Sequence, residues 1–517
     1  MGMYSRRRVI GGGLAFAGAA TGGPLRAASG AAEARLTIDP RRTLNHLPPS
    51  YNGFSIEQAT LEDPDIYHAG NRSLVALFRR LTTNGILRIG GNSSEFCWWK
   101  GTPDTPQPVM SASGQGRADN WMPRAFHPIT PRAIDNLRTF LDATGWRCIY
   151  GLNLGVGTPE RDAEEAAYVA QALGPTLLYF QIGNEPDLYR REHNKLRPAE
   201  WDYPDYLREW TAIARAVLAR QPQARFAGPD VAGARNWLLR FARDAKPLVG
   251  DHLAELTGHY YAEGPPSSPE ANIANLLETD PRIARSMDSI MPIAREAGLA
   301  YRLSEGNSCY RGGKAGMSNA LASALWGMDF MLDMGARGCT GINLHGGGGS
   351  VISSALGGKL PGARNAHDLE VAKLGTFYSP VAGNPKRGYE ARPIFYGMMA
   401  VEMFAGSRLV ATQLDAGGAN VTAYAGVAGD HWSIALINKD LSRDVEVQVA
   451  LPAYARAASL WRLTGPAPDA TEDVRFAHAA VAPGTAAWTP QPEKLASVGK
   501  SALVSLTRAS AIVLSLA

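Results

Sequence analysis

From Tyr51 to His345 the chain alternates short apolar or β-branched runs with longer segments whose apolar residues recur every three or four positions, the pattern of repeated strand–helix units. Eight strands are predicted: Tyr51–Glu57, Gly85–Gly91, Trp146–Gly155, Leu177–Glu185, Arg225–Asp230, Glu255–Tyr261, Ala300–Glu305 and Thr340–His345. Between them Pro131–Thr144, Tyr203–Arg220, Pro281–Ala297 and Met317–Met334 carry helical spacing, with Pro or Asp near several starts. Eight alternations predict an α/β fold built on a closed (β/α)8 TIM barrel. A doubly wound open sheet is the alternative, because alternation alone does not count strands.

After about Arg392 the pattern changes to short strands separated by turn residues: Ser407–Leu414, Asn420–Val427, Trp432–Asn438, Asp444–Leu451, Ala458–Leu463 and Leu503–Leu514. This predicts a C-terminal all-β sandwich domain, with the isolated strand-like Ala34–Ile38 available to pair into it. The expected organisation is a leader over 1–32, a barrel over 46–391, and a sandwich from 33–45 plus 392–517. At 517 residues and 45% hydrophobic, the chain has material for cores of this size, and a disordered or fibrous chain is excluded.

The 52 Lys+Arg exceed the 48 Asp+Glu by four, and Arg6, Arg7, Arg8 and Arg26 lie in an opening segment without acids. Without them the charges balance, which leaves no global electrostatic argument for nucleic acid or an anionic membrane. Ser5-Arg6-Arg7-Arg8-Val9-Ile10, an apolar Gly/Ala-rich run to about Ala20, and the small residues Ala27-Ala28-Ser29 read as a cleavable twin-arginine signal. That run is shorter than the roughly 20 residues a membrane span needs. The expected location is therefore periplasmic or secreted, with no membrane attachment after cleavage.

Cys97, Cys148, Cys309 and Cys339 contain no C-x-x-C spacing, and the ten His include no H-E-x-x-H. Neither a zinc site nor any other metal is expected, and buried free thiols are the preferred reading of the cysteines.

In a (β/α)8 barrel the chemistry sits where strands end at the C-terminal face. The fourth strand ends in Gly183-Asn184-Glu185-Pro186 and the seventh in Ser304-Glu305-Gly306. Both strands open on the same mouth, so carboxylates 120 positions apart in sequence are candidates for one site. A pair of carboxyl groups suits glycosidic bond cleavage: one protonates the leaving oxygen while the other attacks the anomeric carbon.

Gly183-Asn184-Glu185-Pro186-Asp187, Ser304-Glu305-Gly306-Asn307-Ser308, Gly258-His259-Tyr260-Tyr261 and Ala391-Arg392-Pro393-Ile394-Phe395-Tyr396-Gly397 together resemble glycoside hydrolase family 79, the β-glucuronidase and heparanase-like group, from about Tyr51 to the C-terminus. The resemblance implies a retaining hydrolase of β-D-glucuronides with a β-sandwich beside the barrel, no cofactor, and a glucuronic-acid-containing saccharide as partner. By the same resemblance Glu185 is the acid/base, Glu305 the nucleophile and Asn184 the partner of the sugar 2-hydroxyl. Glu57 matches an acidic sugar-binding residue, Tyr260 a tyrosine near the nucleophile, and Tyr310 one at the bound glucuronate. Asn92 and Ser93, after Arg88-Ile89-Gly90-Gly91, are candidates for further hydroxyl contacts, as is Asn343 on strand eight.

The family holds the glucuronate carboxylate by a tyrosine and backbone N–H groups after strand eight. Tyr378 aligns with that tyrosine, across an apparent insertion between Gly349 and Gly375. Arg190, Arg191, Lys195 and Arg197 crowd the loop after Glu185, either to meet an acidic sugar or as a solvated loop. Two alternatives stay open: a same-clan glycosidase for a neutral sugar such as xylose, arabinose or glucose, and a noncatalytic carbohydrate-binding protein on the same barrel. The sequence does not decide the aglycone, exo or endo action, or the oligomeric state.

Overall fold

A computed structural model describes residues 32–109, 125–191, 196–349, 351–352 and 359–516. The twin-arginine motif and Lys195 lie outside the described residues. Eight parallel strands close into a barrel: β1 (Asn52–Glu57), β2 (Ile86–Gly90), β3 (Arg147–Leu152), β4 (Leu177–Ile182), β5 (Phe226–Val231), β6 (Leu253–Glu263), β7 (Ala300–Cys309) and β8 (Ile342–Gly346). Each pairs with its neighbour in sequence, and β8 returns to β1. An open sheet is thereby excluded.

The two-residue period of a strand decides what faces the helices and what faces the axis. On β2, Leu87 and Ile89 join the apolar core between strands and helices, while Arg88 turns inward to Gln181 and Glu305. The predicted helices form where expected, except that the one expected over Met317–Met334 runs from Leu321 to Ala336. Pro131–Thr144 starts on a proline and ends on Gly145, whose φ of 78° is a left-handed C-terminal cap.

The barrel axis is polar at two levels. In the lower one Arg302 meets Glu255 at 3.3 Å and Asn343 Oδ1 at 3.2 Å, and Asn343 Nδ2 donates to the Phe54 and Ile86 carbonyls. The upper one, centred on Arg88, opens toward the mouth.

The helix Pro393–Glu402 packs between Leu321–Ala336 and Arg72–Leu81 as the eighth helix of the ring. The boundary expected at residue 391 is therefore placed one helix too early. The misplacement has a physical cause: this helix is buried almost all round, so it lacks the amphipathic period of its neighbours. Gly397 lets it lie against Ala324, whose carbonyl a β-carbon would strike.

The all-β unit is one curled sheet folded over its own core. Ala32–His46 pairs antiparallel with Arg408–Asp415 and parallel with the start of Val445–Thr464. That long strand continues onto Ser510–Leu516, and the sheet is completed through His431–Asn438 and Val421–Ala428. Leu36, Val410, Ile434, Leu436, Val447 and Leu514 fill the space between its two halves. Asp444–Leu451 and Ala458–Leu463 prove to be one strand, with a register shift between Ala450 and Ala455. The run predicted as Leu503–Leu514 is broken near Ala509, whose φ is 47°, into Glu493–Leu506 and Ser510–Leu516. All four cysteines are free and buried. Among the described residues no helix is long and apolar enough to cross a membrane.

Candidate active site

Each residue of the Gly183–Asp187 turn has a separate task at the end of β4. Gly183 takes a φ of 85° in a place where a β-carbon would crowd Leu154. The Asn184 N–H donates to buried Glu95, and its side-chain oxygen accepts from Arg88 Nη2 at 2.8 Å. Glu185 lies in the left-handed region at φ 49°, a strained setting for a residue with a β-carbon, and its N–H is held by the Asp230 carbonyl at 2.9 Å. Asp187 accepts from the N–H groups of Ala232, Gly233 and Ala234, which ties the β4 loop to the β5 loop.

Glu305 reaches the site through an irregularity in β7. Against β6, Leu303 pairs with Gly258 and Glu305 with His259, so one residue is extra on β7 and the alternation breaks. Ser304 and Glu305 consequently both face the axis: Ser304 Oγ bonds Asp230 and Glu305 bonds Arg88.

The buried Arg88 guanidinium is the hub. Its Nη1 donates to Glu305 Oε2 at 2.8 Å and its Nη2 to Asn184 and Asp230, while Nε donates to Gln181. His259 lies 3.0 Å from Glu185 Oε1 through Nδ1. Its Nε2 is 3.2 Å from Asp230 Oδ1, an ion-pair contact without hydrogen-bond geometry. Burial disfavours the charged ring, but Asp230 and Glu305 outweigh it and push the imidazole up to about 10.

The two glutamates are driven apart. Burial also opposes a charged Glu305, yet His345, His259 and Arg88 face it and the Tyr261 hydroxyl donates to it at 2.8 Å. Together they hold its carboxyl down to about 2. At Glu185 burial wins over the bond from His259, with Glu305 and Asp187 adding repulsion, and its carboxyl is raised. One oxygen of each carboxylate and one nitrogen of His259 lie within 4.8 Å of one another. These three have the spacing of a metal site, while the acids facing His259 favour its protonated ring, a form with no lone pair to offer an ion.

A cavity of about 320 Å³ opens over the pair, lined by Glu57, Asn92, Glu185, Tyr261, Glu305, Tyr310, Arg311, His345, Ile352 and Tyr378 among others. Of the residues singled out in the sequence, Glu57, Asn92, Tyr310 and Tyr378 thus stand in the wall with both glutamates. Glu57 Oε2 is held by the N–H and hydroxyl of Ser93 at 2.8 and 2.6 Å, and Gly91 leaves no room for a β-carbon beside it. Asn184 stands behind Asn92, to which it donates at 3.3 Å.

Three expectations require correction. Tyr260 faces outward: it stacks on Phe330 with centroids 5.1 Å apart and bonds Asp280. The tyrosine on Glu305 is Tyr261, one residue on. Asn343 lies in the lower barrel layer, away from the cavity. Ser93 is turned into Glu57 and the Ala59 N–H and positions that carboxylate instead of lining the cavity. In the β4 loop, Arg197 bonds Glu209 and the Leu154 and Gly155 carbonyls and holds the loop together.

Sequence reasoning missed Arg88, Asp230, His259, Tyr261 and His345. The signal was present in the period: Thr257, His259 and Tyr261 alternate with Leu256, Gly258 and Tyr260, and Arg88 stands between Leu87 and Ile89. A charged or polar residue on the inward phase of a barrel strand is the pattern to look for.

No family model matches the chain. It is 26% identical over 320 residues to a β-glucuronidase of Aspergillus niger, covering 56% of this chain and 57% of that one. It is 24% identical over 344 residues to a β-glucuronidase of Neurospora crassa, covering 60% and 59%. It thus spans somewhat more than half the length of the curated relatives it matches. Among solved structures, a 4-O-α-L-rhamnosyl-β-D-glucuronidase of Fusarium oxysporum superposes with a TM-score of 0.67 at 16% identity, over 93% of this chain and 100% of that one. An α-L-arabinofuranosidase of Thermotoga maritima gives 0.63 at 15% identity, over 94% and 99%. The resemblance to glycoside hydrolase family 79 read from the motifs therefore stands beside two relatives named β-glucuronidase, and the fold is the (β/α)8 barrel with an all-β unit that these glycosidases share.

Proposed function

We propose that the chain is a retaining glycoside hydrolase that cleaves β-D-glucuronides through Glu185 and Glu305. The observation that carries this reading is the pair itself: a buried carboxylate held low, a second carboxyl held high, and oxygens within 4.8 Å of each other. Retaining glycosidases keep the two groups about 5–5.5 Å apart and inverting ones about 6.5–9.5 Å, so the separation favours retention. Glu305, kept ionised by Arg88 and Tyr261, attacks the anomeric carbon as Glu185 gives its proton to the departing oxygen. A glycosyl ester on Glu305 results. Glu185, now a carboxylate, takes a proton from water as that water attacks the same carbon, which releases the sugar and restores both groups.

The β-glucuronidase relatives and the place of Tyr310 and Tyr378 in the cavity wall support a glucuronide over a neutral sugar. The leader motif supports export by the twin-arginine route to the periplasm or beyond. Blocked export of a reporter fused to residues 1–32 after Arg6→Lys and Arg7→Lys is the expected outcome.

The test of the reaction is hydrolysis of matched aryl β-D-glucuronide, β-D-glucoside, β-D-xyloside and α-L-arabinofuranoside. Glucuronide cleavage is expected, reduced about 10⁴-fold or more in Glu305→Gln, and a proton NMR time course should show the β-anomer of free glucuronate first. Cleavage of only a neutral glycoside would refute the substrate, and an initial α-anomer would refute retention.

A further inference from the structure

Three successive N–H groups fix the turn that carries Glu185, and they are met in different ways. The Gly183 N–H donates to the Leu152 carbonyl at 3.0 Å and the Glu185 N–H to the Asp230 carbonyl at 2.9 Å, both main-chain bonds to neighbouring strands. Between them the Asn184 N–H donates to a side chain, Glu95 Oε1. Glu185 keeps a left-handed φ of 49°, a conformation that persists only where the surroundings over-determine it. Glu95 supplies the contact immediately before that residue.

The position of Glu95 suits this task. It is 1% exposed and lies on the segment Asn92–Phe96, which also bears Asn92 in the cavity wall and Ser93 against Glu57. Its other oxygen accepts from the Gly155 N–H, on the loop after β3. A β-carbon on Gly155 would come within 2.8 Å of that oxygen, so the approach requires glycine. Tyr189, four residues beyond Glu185, turns its buried hydroxyl toward the same carboxyl, short of hydrogen-bond geometry. One side chain thus joins the loops after β2, β3 and β4. An amide in its place has one oxygen for two N–H donors and turns its own N–H groups against the other. A buried N–H left without an acceptor costs its full desolvation, so the turn shifts to find another partner.

We propose that Glu95 is a positioning residue for the acid/base: by holding the Asn184 N–H it keeps the Glu185 carboxyl aimed at the departing glycosidic oxygen. The inference rests on the acid/base reading of Glu185. It assigns the aim of that group to a side chain that does not line the cavity.

The test compares kcat/KM for two β-D-glucuronides, one with a phenyl and one with a dinitrophenyl leaving group, in wild type, Glu95→Gln, Glu185→Ala and Glu165→Gln. Dinitrophenolate departs without a proton, whereas phenolate needs one, so the phenyl-to-dinitrophenyl ratio reports proton delivery alone. Measured in one sample, that ratio does not depend on how much of the protein is folded. A misplacement of about 1 Å costs about 10²-fold. The expected result is a ratio lowered about 10- to 100-fold in Glu95→Gln and at least as much in Glu185→Ala. Glu165 is a buried acid bonded by Tyr150 at 2.7 Å, away from the turn, and Glu165→Gln should leave the ratio within about threefold. If Glu95→Gln does not fold, Gly155→Ala gives the same readout, because its β-carbon displaces the Glu95 carboxyl without removing it.

A ratio that drops in Glu185→Ala but holds at the wild-type value in Glu95→Gln overturns this inference and leaves the functional reading standing, as does an equal drop in Glu165→Gln. A ratio unchanged in Glu185→Ala, or a wild type that cleaves neither glucuronide, overturns the functional reading, and the role of Glu95 falls with it.

Discussion

Two buried guanidinium groups sit one above the other on the barrel axis, and their surroundings differ in one respect. Arg302 meets Glu255, Asn343 and the carbonyls of Ser50 and Thr340, and Thr340 Oγ1 satisfies the other oxygen of Glu255. That layer is closed. Arg88 also meets acids and amides, but Glu305 forms part of the cavity wall and Glu185 beside it is held high. The lower layer spends its hydrogen-bonding capacity on itself, whereas the upper leaves two carboxyl groups facing an open space with opposed protonation. Identical residue types thus serve structure or chemistry according to whether their last partner is protein or cavity.

The largest effect expected from breaking this comparison is on stability in the lower layer. Arg302→Met strands Glu255 in the barrel and should cost about 3–5 kcal/mol in urea unfolding, while kcat/KM per folded molecule stays within about threefold. Arg88→Met should destabilise comparably and also reduce turnover by at least about 10²-fold, because it frees Glu305 and Asn184 together. A stable, inactive Arg302→Met would dissolve the distinction between the layers.

The next effect is on pH dependence. The charge of His259 lowers both Glu185 and Glu305, so His259→Gln should move both limbs of the kcat/KM profile to higher pH. Because the folded imidazole sits near 10 and an unfolded one near 6.5, its stabilisation is complete below about pH 6.5 and is lost as pH rises through 10. Asp230 and Glu305 are shifted down, so their contribution is present above about pH 4.5 and is lost as pH falls toward 2. Wild type should therefore lose stability between pH 7 and 10, and His259→Gln should lose less over that window by equilibrium unfolding at each pH.

The smallest effect separates the adjacent tyrosines. Tyr261→Phe removes a donor to Glu305 and should cut kcat about 10-fold, with the acid limb moving up. Tyr260→Phe removes the bond to Asp280 and the longer one accepted from Arg282, both outside the cavity, and should cost about 1 kcal/mol of stability with kcat unchanged. Equal kinetic effects would refute the assigned facings.

The eight barrel strands and the two glutamates were legible because each is written locally: an apolar run, a turn residue, a carboxylate at the strand end. The facing of Tyr260 and Tyr261 is also written, in the alternation from Thr257, a period that the family motif by itself does not carry. Ser93 and Asn343 are polar residues at strand ends or starts like Asn92, and nothing local separates a cavity residue from a barrel-core one.

The sequence by itself determined the order of elements, since hydrophobic period and turn chemistry act over a few residues. It also determined the two carboxylates, since strand ends are local features. The tertiary structure alone decided their protonation. Burial, the charges of Arg88 and His259, and the placement of His345 against Glu305 come from β2, β6 and β8, and electrostatic energy in a buried site depends on distances that chain separation does not encode. The same holds for the bulge that turns Glu305 inward beside Ser304 and for the single curled sheet after the barrel. Both are matters of register between strands, which exists only once the strands have met.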